Sequence, residues 1–140
     1  MATHNSRIAF GVTVLGLVAM MAPPTGARAD DAVLHRVTYT VTADQPVQAG
    51  VYYRDIDPPT WADYSHNPYL YSPKVDVSLG PTTPWVLDVM LADPDRWAMI
   101  AITQDLTRPT HPVHCALAVD GIVADTADGP HGALCSLRPR

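Results

Sequence analysis

The chain has 140 residues, 9 Lys and Arg against 14 acidic groups, a formal net charge of −5, 14 Pro, 8 Gly and 2 Cys, which fits one domain at most. Every acid is Asp, Glu is absent and Lys74 is the one lysine, so strong helix formers are scarce while Val, Thr, Tyr and Pro are plentiful. That composition argues against a helical bundle, and without a run of Lys or Arg it argues against nucleic acid or an anionic membrane surface as partner.

Arg7 supplies a positive start, Ile8 to Ala22 is an uncharged apolar run closed by Pro23-Pro24, and Ala27-Arg28-Ala29 follows as a small-x-small site before Asp30. This order predicts a secretory signal over residues 1–29 cleaved after Ala29. A retained anchor is the competing reading, but a spanning helix needs about 20 apolar residues and this run ends sooner. Removing 29 of the 140 residues leaves 111, and loss of Arg7 and Arg28 takes the charge from −5 to −7. Residues 30–140 are then a single extracytoplasmic domain with no membrane span of its own, long enough to build one core. In an oxidising compartment Cys115 and Cys135 most simply pair; a reactive thiol pair or a metal site is the alternative, and CxxC spacing is missing.

From Leu34, Val37, Tyr39 and Val41 alternate with Arg36, Thr38 and Thr40, the period of a half-buried strand. Asp44-Gln45-Pro46 reads as a turn, and Val47, Ala49, Val51 and Tyr53 alternate with Gln48, Gly50, Tyr52 and Arg54 in a second strand expected to pair with the first. Lys74 to Leu79 is a third strand, broken by Gly80 to Pro84; Trp85 to Leu91 is a fourth, more buried one, and Ala92 to Asp95 a turn. Arg96 to Thr103 is apolar on both sides, which suits a central strand or a short buried helix. Gln104 to Pro112 is a loop. Val113 to Val119 then meets Ile122-Val123 across Asp120-Gly121, a two-residue hairpin turn, and Ala133 to Leu137 is the last strand. Seven to eight short strands fit an all-β fold, an immunoglobulin-like antiparallel β-sandwich with one disulfide, with Trp85 and Trp97 as large core residues.

Six of the ten aromatic residues lie in one stretch from Tyr52 to Tyr71, stiffened by Pro58, Pro59 and Pro68. A connection this long is often functional. One reading is a partner or ligand surface carried by Asp55, Asp57, Trp61, Tyr64, His66, Tyr69 and Tyr71, with rings for sugars or apolar groups and polar tips for hydrogen bonds. The other is a lid that packs its own rings over an open end of the sandwich. Asp55-Ile56-Asp57 and Asp93-Pro94-Asp95 offer oxygen ligands but not calcium-loop spacing, and turn formation explains both. His111 and His114 would point to opposite faces of one strand, so with His131 they do not make a zinc set. No cofactor is implied. No GxSxG, HExxH, GxGxxG or phosphate loop is present, so the chain reads as a non-enzyme; a small Asp-dependent hydrolase is the weakest alternative, since carboxylate partners are not bound to be close in sequence.

The run Cys115-Ala-Leu-Ala-Val-Asp120-Gly121-Ile-Val, closed by Cys135, resembles the small mycobacterial MmpS-type proteins, and His35 to Val41 looks like their first strand, with Trp85 where a central-strand tryptophan is expected. The resemblance covers about half of residues 30–140. It implies a disulfide-closed β-sandwich and an accessory, non-catalytic role beside lipid or siderophore exporters outside the inner membrane. The family's N-terminal anchor is replaced here by what reads as a cleaved signal, and the stretch from Asp55 to Pro73 is longer than the family pattern. The expectation is a secreted envelope protein that binds a protein, lipid or glycan partner; a stand-alone glycan- or lipid-binding module is the alternative.

Overall fold

A computed structural model describes residues 32–138. The proposed signal at 1–29 lies outside the described residues. Two antiparallel four-stranded sheets pack face to face as a β-sandwich. The first has the order β4-β1-β6-β7 and the second β3-β2-β5-β8, where the strands are β1 His35–Ala43, β2 Val47–Tyr53, β3 Lys74–Leu79, β4 Trp85–Leu91, β5 Met99–Thr103, β6 Val113–Val119, β7 Ile122–Gly129 and β8 Ala133–Ser136. Two short helices, α1 Trp61–His66 and α2 Pro94–Trp97, and a 3-10 turn over Pro68–Tyr71 complete the elements.

Period-two alternation builds the interior. Val37, Tyr39, Val41 and Ala43 of β1, Val113, Cys115 and Leu117 of β6 and Val89 and Leu91 of β4 point inward from one sheet; Ala49 and Val51, Val77 and Leu79, and Ile100 and Ile102 meet them from the other. Cys115 on β6 and Cys135 on β8 form a disulfide between the two sheets, both residues buried. At the hairpin tip Asp120 and Gly121 have φ of 50° and 82°, the left-handed pair that a two-residue type I′ turn requires.

Four expectations need correction. β1 and β2 do not pair: β1 lies between β4 and β6, and β2 between β3 and β5. Residues 44–46 carry the chain across the core, Asp44 giving its N–H to the Pro112 carbonyl alongside β6, while Pro46 has no N–H with which to close a hairpin. Arg96 and Trp97 belong to α2, begun by Pro94 at its first turn, and β5 starts only at Met99. β4 is an edge strand with Val86 and Met90 exposed, and Trp85 is half-buried rather than central. β7 runs on to Gly129 through Ala124, Asp125, Ala127 and Asp128, residues of low strand propensity recruited by pairing with β6.

Candidate functional site

The aromatic stretch closes one end of the sandwich, and a single arginine organises it. Beyond β2 the Arg54 N–H donates to the Met99 carbonyl at 3.1 Å, and the Arg54 carbonyl accepts the Tyr39 hydroxyl at 2.7 Å. Alternation put Arg54 on the wet side of its strand, yet it is buried at 4% exposure, because Tyr64 and Trp97 close over it. Its guanidinium carbon stands 4.4 Å from the Tyr64 ring centre and 5.6 Å from that of Trp97. Nε donates to the Trp97 carbonyl at 3.3 Å, Nη2 approaches the Met99 sulfur at 3.9 Å, and Nη1 is buried without a partner. A buried cation needs compensation of several kcal/mol, and cation–π contact supplies about 0.5–2 kcal/mol per ring. The Tyr39 hydroxyl beside it is pushed up to about 12 by burial.

Trp97 reaches this position through α2. Asp57 accepts the main-chain N–H groups of Ala92 and Asp93 at 2.7 and 2.9 Å, so its carboxylate clamps the turn that launches α2. That use accounts for Asp57 without a ligand. Across from α2, Thr60 caps α1: its hydroxyl accepts the Asp63 N–H at 3.1 Å and donates to the Asp63 carboxylate at 2.7 Å. Trp61 and Tyr64, three residues apart on one helix face, both meet Trp97. The Trp61 and Trp97 rings stack with centroids 6.1 Å apart and planes 22° apart, and Tyr64 meets Trp97 edge-on at 5.6 Å. Arg138 lies over Trp61 at 3.8 Å and Arg96 over Trp97 at 5.5 Å.

The expected surface and the expected lid are thus one object with two sides. Tyr64 is the seated side. Trp61 is stacked yet 42% exposed, and Tyr69 and Leu70 on the 3-10 turn are 80% and 64% exposed. Asp55 is half-buried beside Arg54, His66 is exposed at the end of α1, and Tyr71 is half-buried where the 3-10 turn ends. Trp61 and Tyr64 tilt by 43°, so they do not form the coplanar platform expected of a sugar-stacking face. Arg54, Arg96 and Arg138 were not among the expected site residues. The one sequence signal for α1 is the Thr60-x-x-Asp63 pattern, a capping motif that stands where the apolar alternation stops.

The remaining titratable side chains serve turns and strand surfaces. His114 Nε2 is 2.9 Å from Asp44, His131 Nδ1 is 2.6 Å from the Thr110 hydroxyl, and the His111 main chain is held by Gln104. The His35 ring and the Arg36 N–H hold the Asp120 carboxyl below its ordinary range, and the Thr107 hydroxyl and N–H do the same for Asp105. Among the described residues no group of three or more His, Cys or Asp is placed to hold a metal ion, and no helix is long and apolar enough to cross a membrane.

Comparison with known proteins agrees with this architecture. The family model of the Rv2576c beta-sandwich domain matches residues 39–135, from the buried Tyr39 to the second disulfide cysteine. The uncharacterized proteins Rv2576c of Mycobacterium tuberculosis and Mb2606c of Mycobacterium bovis are each 35% identical to this chain over 128 residues, which is 91% of this chain and 82% of theirs.

Proposed function

The chain belongs to the Rv2576c beta-sandwich domain family, and on that premise we propose that it is an exported, non-catalytic binding protein of the cell envelope that presents its 54–71 end to a partner. The observation that carries the reading is that end itself: Ile56, Trp61, Tyr69 and Leu70 are 52%, 42%, 80% and 64% exposed on one short segment held in shape by two capping residues, Thr60 and Asn67. A concentration of outward aromatic and apolar side chains on a small domain marks a contact surface. The buried disulfide supports an oxidising compartment, and the resemblance of the Cys115 to Val123 run to MmpS-type proteins supports an accessory role beside lipid or siderophore export.

In a mycobacterial host, the protein recovered from the extracytoplasmic fraction should begin at Asp30 with both cysteines oxidised. A photo-crosslinking residue at position 69 should then form one dominant adduct. The same residue at position 106, exposed in the loop at the opposite end of β5, should not. An intact Met1 in the cytosol with reduced sulfurs, or equal labelling from both positions, would overturn the reading.

A further inference from the structure

The outer edge of β4 is unpaired and unprotected. The Asp44 N–H bonds to Pro112 beside β6, and the Arg36 carbonyl accepts the Asp120 N–H at the tip of the β6–β7 hairpin. The even residues of β1 therefore face β6 and its odd residues face β4, because an antiparallel strand turns its main-chain groups to alternate sides. By the register, Trp85, Leu87, Val89 and Leu91 bond to β1, which leaves the N–H and C=O groups of Val86, Asp88 and Met90 pointing to the free edge. Ala92 is next in that series, and its N–H is taken by the Asp57 carboxylate at 2.7 Å, where an added strand would place its own acceptor. Among the described residues no other main-chain bond reaches this side. Val86 and Met90 are 55% and 49% exposed, and the inward-facing Leu87 is only half-buried, as an uncovered edge requires.

The other edges are blunted by devices that keep sheets from pairing with strangers. β3 begins with the single lysine, Lys74, 3.4 Å from Asp76. β7 has a register shift against β6 and carries Asp125 and Asp128. β8 has four residues, and Asp125 holds its Ser136 N–H at 2.9 Å. β4 has seven residues in unbroken register, without Lys, Arg or Pro, and one charge, Asp88.

Resting on the reading of this chain as a binding protein, we infer that an extended segment of a partner protein adds to β4 as a fifth strand of the first sheet. The segment runs antiparallel, as the strand pairs of both sheets do. It carries apolar side chains opposite Val86 and Met90 and Lys or Arg opposite Asp88, whose second carboxylate oxygen stays open after Thr38 donates to the first. Its N-terminal end, beyond Met90, meets Asp57 and the exposed Ile56, so the added strand leads onto the 54–71 end. A second copy of this chain does not fit: the pairing that matches the three open residues sets Asp88 against Asp88, and two chains at −5 repel each other.

Benzoylphenylalanine at position 86 and at position 90 should each crosslink, in a mycobacterial host, the protein captured from position 69. Mass spectrometry should map the two links to one segment, at residues about four apart and in reverse order, with Lys or Arg between them. The same probe at position 76 on the edge of β3 should give no adduct. A synthetic peptide of the mapped segment should protect the amides of Val86, Asp88 and Met90 from hydrogen exchange. Val86→Pro removes one outward N–H and keeps the bonds to β1, and should weaken the peptide about tenfold. Asp88→Lys should weaken it about fivefold, and exchanging the basic residue of the peptide for Asp should restore it; if Val86→Pro does not fold, this charge exchange and the amide protection decide. Scattered links, links in the same order, unprotected amides or unaltered affinity in Asp88→Lys would overturn the added strand, and adducts between two copies of this chain would overturn the choice of partner. If position 69 captures a protein that positions 86 and 90 do not, this inference falls and the binding reading stands; if all three positions fail, both fall.

Discussion

Trp61→Ala and Trp97→Ala, taken singly and together, test whether the aromatic segment is seated as described. Trp97 is 5% exposed, so its truncation is a core deletion worth about 3–5 kcal/mol. Trp61 is 42% exposed, so a little over half of its surface is shielded. With up to about 250 Å² for a tryptophan, that is roughly 140 Å², or about 3.5 kcal/mol at 25 cal/mol per Å² as an upper bound. Alanine keeps part of this contact and the freed segment regains entropy, which brings the expected loss to about 2 kcal/mol. The 6.1 Å stack adds a mutual term of about 1 kcal/mol, so the double variant should lose that much less than the sum of the two singles. Urea unfolding followed by far-ultraviolet circular dichroism reads all four proteins without relying on tryptophan emission, and the m-values should be unchanged. A loss below about 0.5 kcal/mol for Trp61→Ala, with full additivity, would refute the docking of α1 on Trp97. If Trp97→Ala does not fold, Trp97→Leu completes the same cycle.

Three further outcomes follow from the same geometry. Replacing Cys115 and Cys135 by alanine opens a sequence separation of 20 residues and should cost about 3 kcal/mol by the chain-entropy argument, read as a fall in urea midpoint that reductant reproduces in the parent; no shift would mean that the bridge does not restrain the unfolded chain. Tyr39, whose hydroxyl is raised to about 12 from an ordinary value near 10, keeps its proton in the folded state after the unfolded chain has lost it. Its contribution is complete below about pH 10 and disappears as pH rises toward 12, a decline of about 2–3 kcal/mol that Tyr39→Phe should abolish in pH-dependent urea titrations. Asp57→Ala strips the acceptors from two main-chain N–H groups and should cost about 2 kcal/mol, whereas Asp57→Asn, which keeps one acceptor, should recover part of it; equal losses would show that the carboxylate is not a clamp.

Much of the framework is legible from local chemistry. Lys74–Leu79 and Trp85–Leu91 have the bounds that alternation assigns, and Asp120-Gly121 makes the turn that its residue types require. The pairing of Cys115 with Cys135 is the one expected of the only two cysteines in the sequence. What alternation does not carry is which strand lies beside which: β1 and β2 share a period and a short connection, yet their neighbours are set by the inward faces of two separate sheets. Trp97 was legible as a large core residue but not as the floor of a site, because its partners Trp61, Tyr64 and Arg54 come from distant parts of the chain. Arg54 was hidden for the opposite reason. A charged residue at solvent parity reads as exposed, and only the closure of Tyr64 and Trp97 over it changes its environment. Arg54, Arg96 and Arg138 never form a run, so nothing along the chain shows that each lies over a ring of the same aromatic group.

The central claim, that the Trp61 end of the sandwich is where this protein meets its partner, is most directly tested by mapping amide and indole chemical shifts of the isotope-labelled protein during titration with the partner captured by crosslinking from position 69. The largest changes should fall on the Trp61 and Trp97 indoles, on Arg54 and on Tyr69 and Leu70, with the loop from Gln104 to Pro112 unmoved. Shifts centred on that loop or on the Asp120-Gly121 hairpin, with both indoles silent, would contradict it.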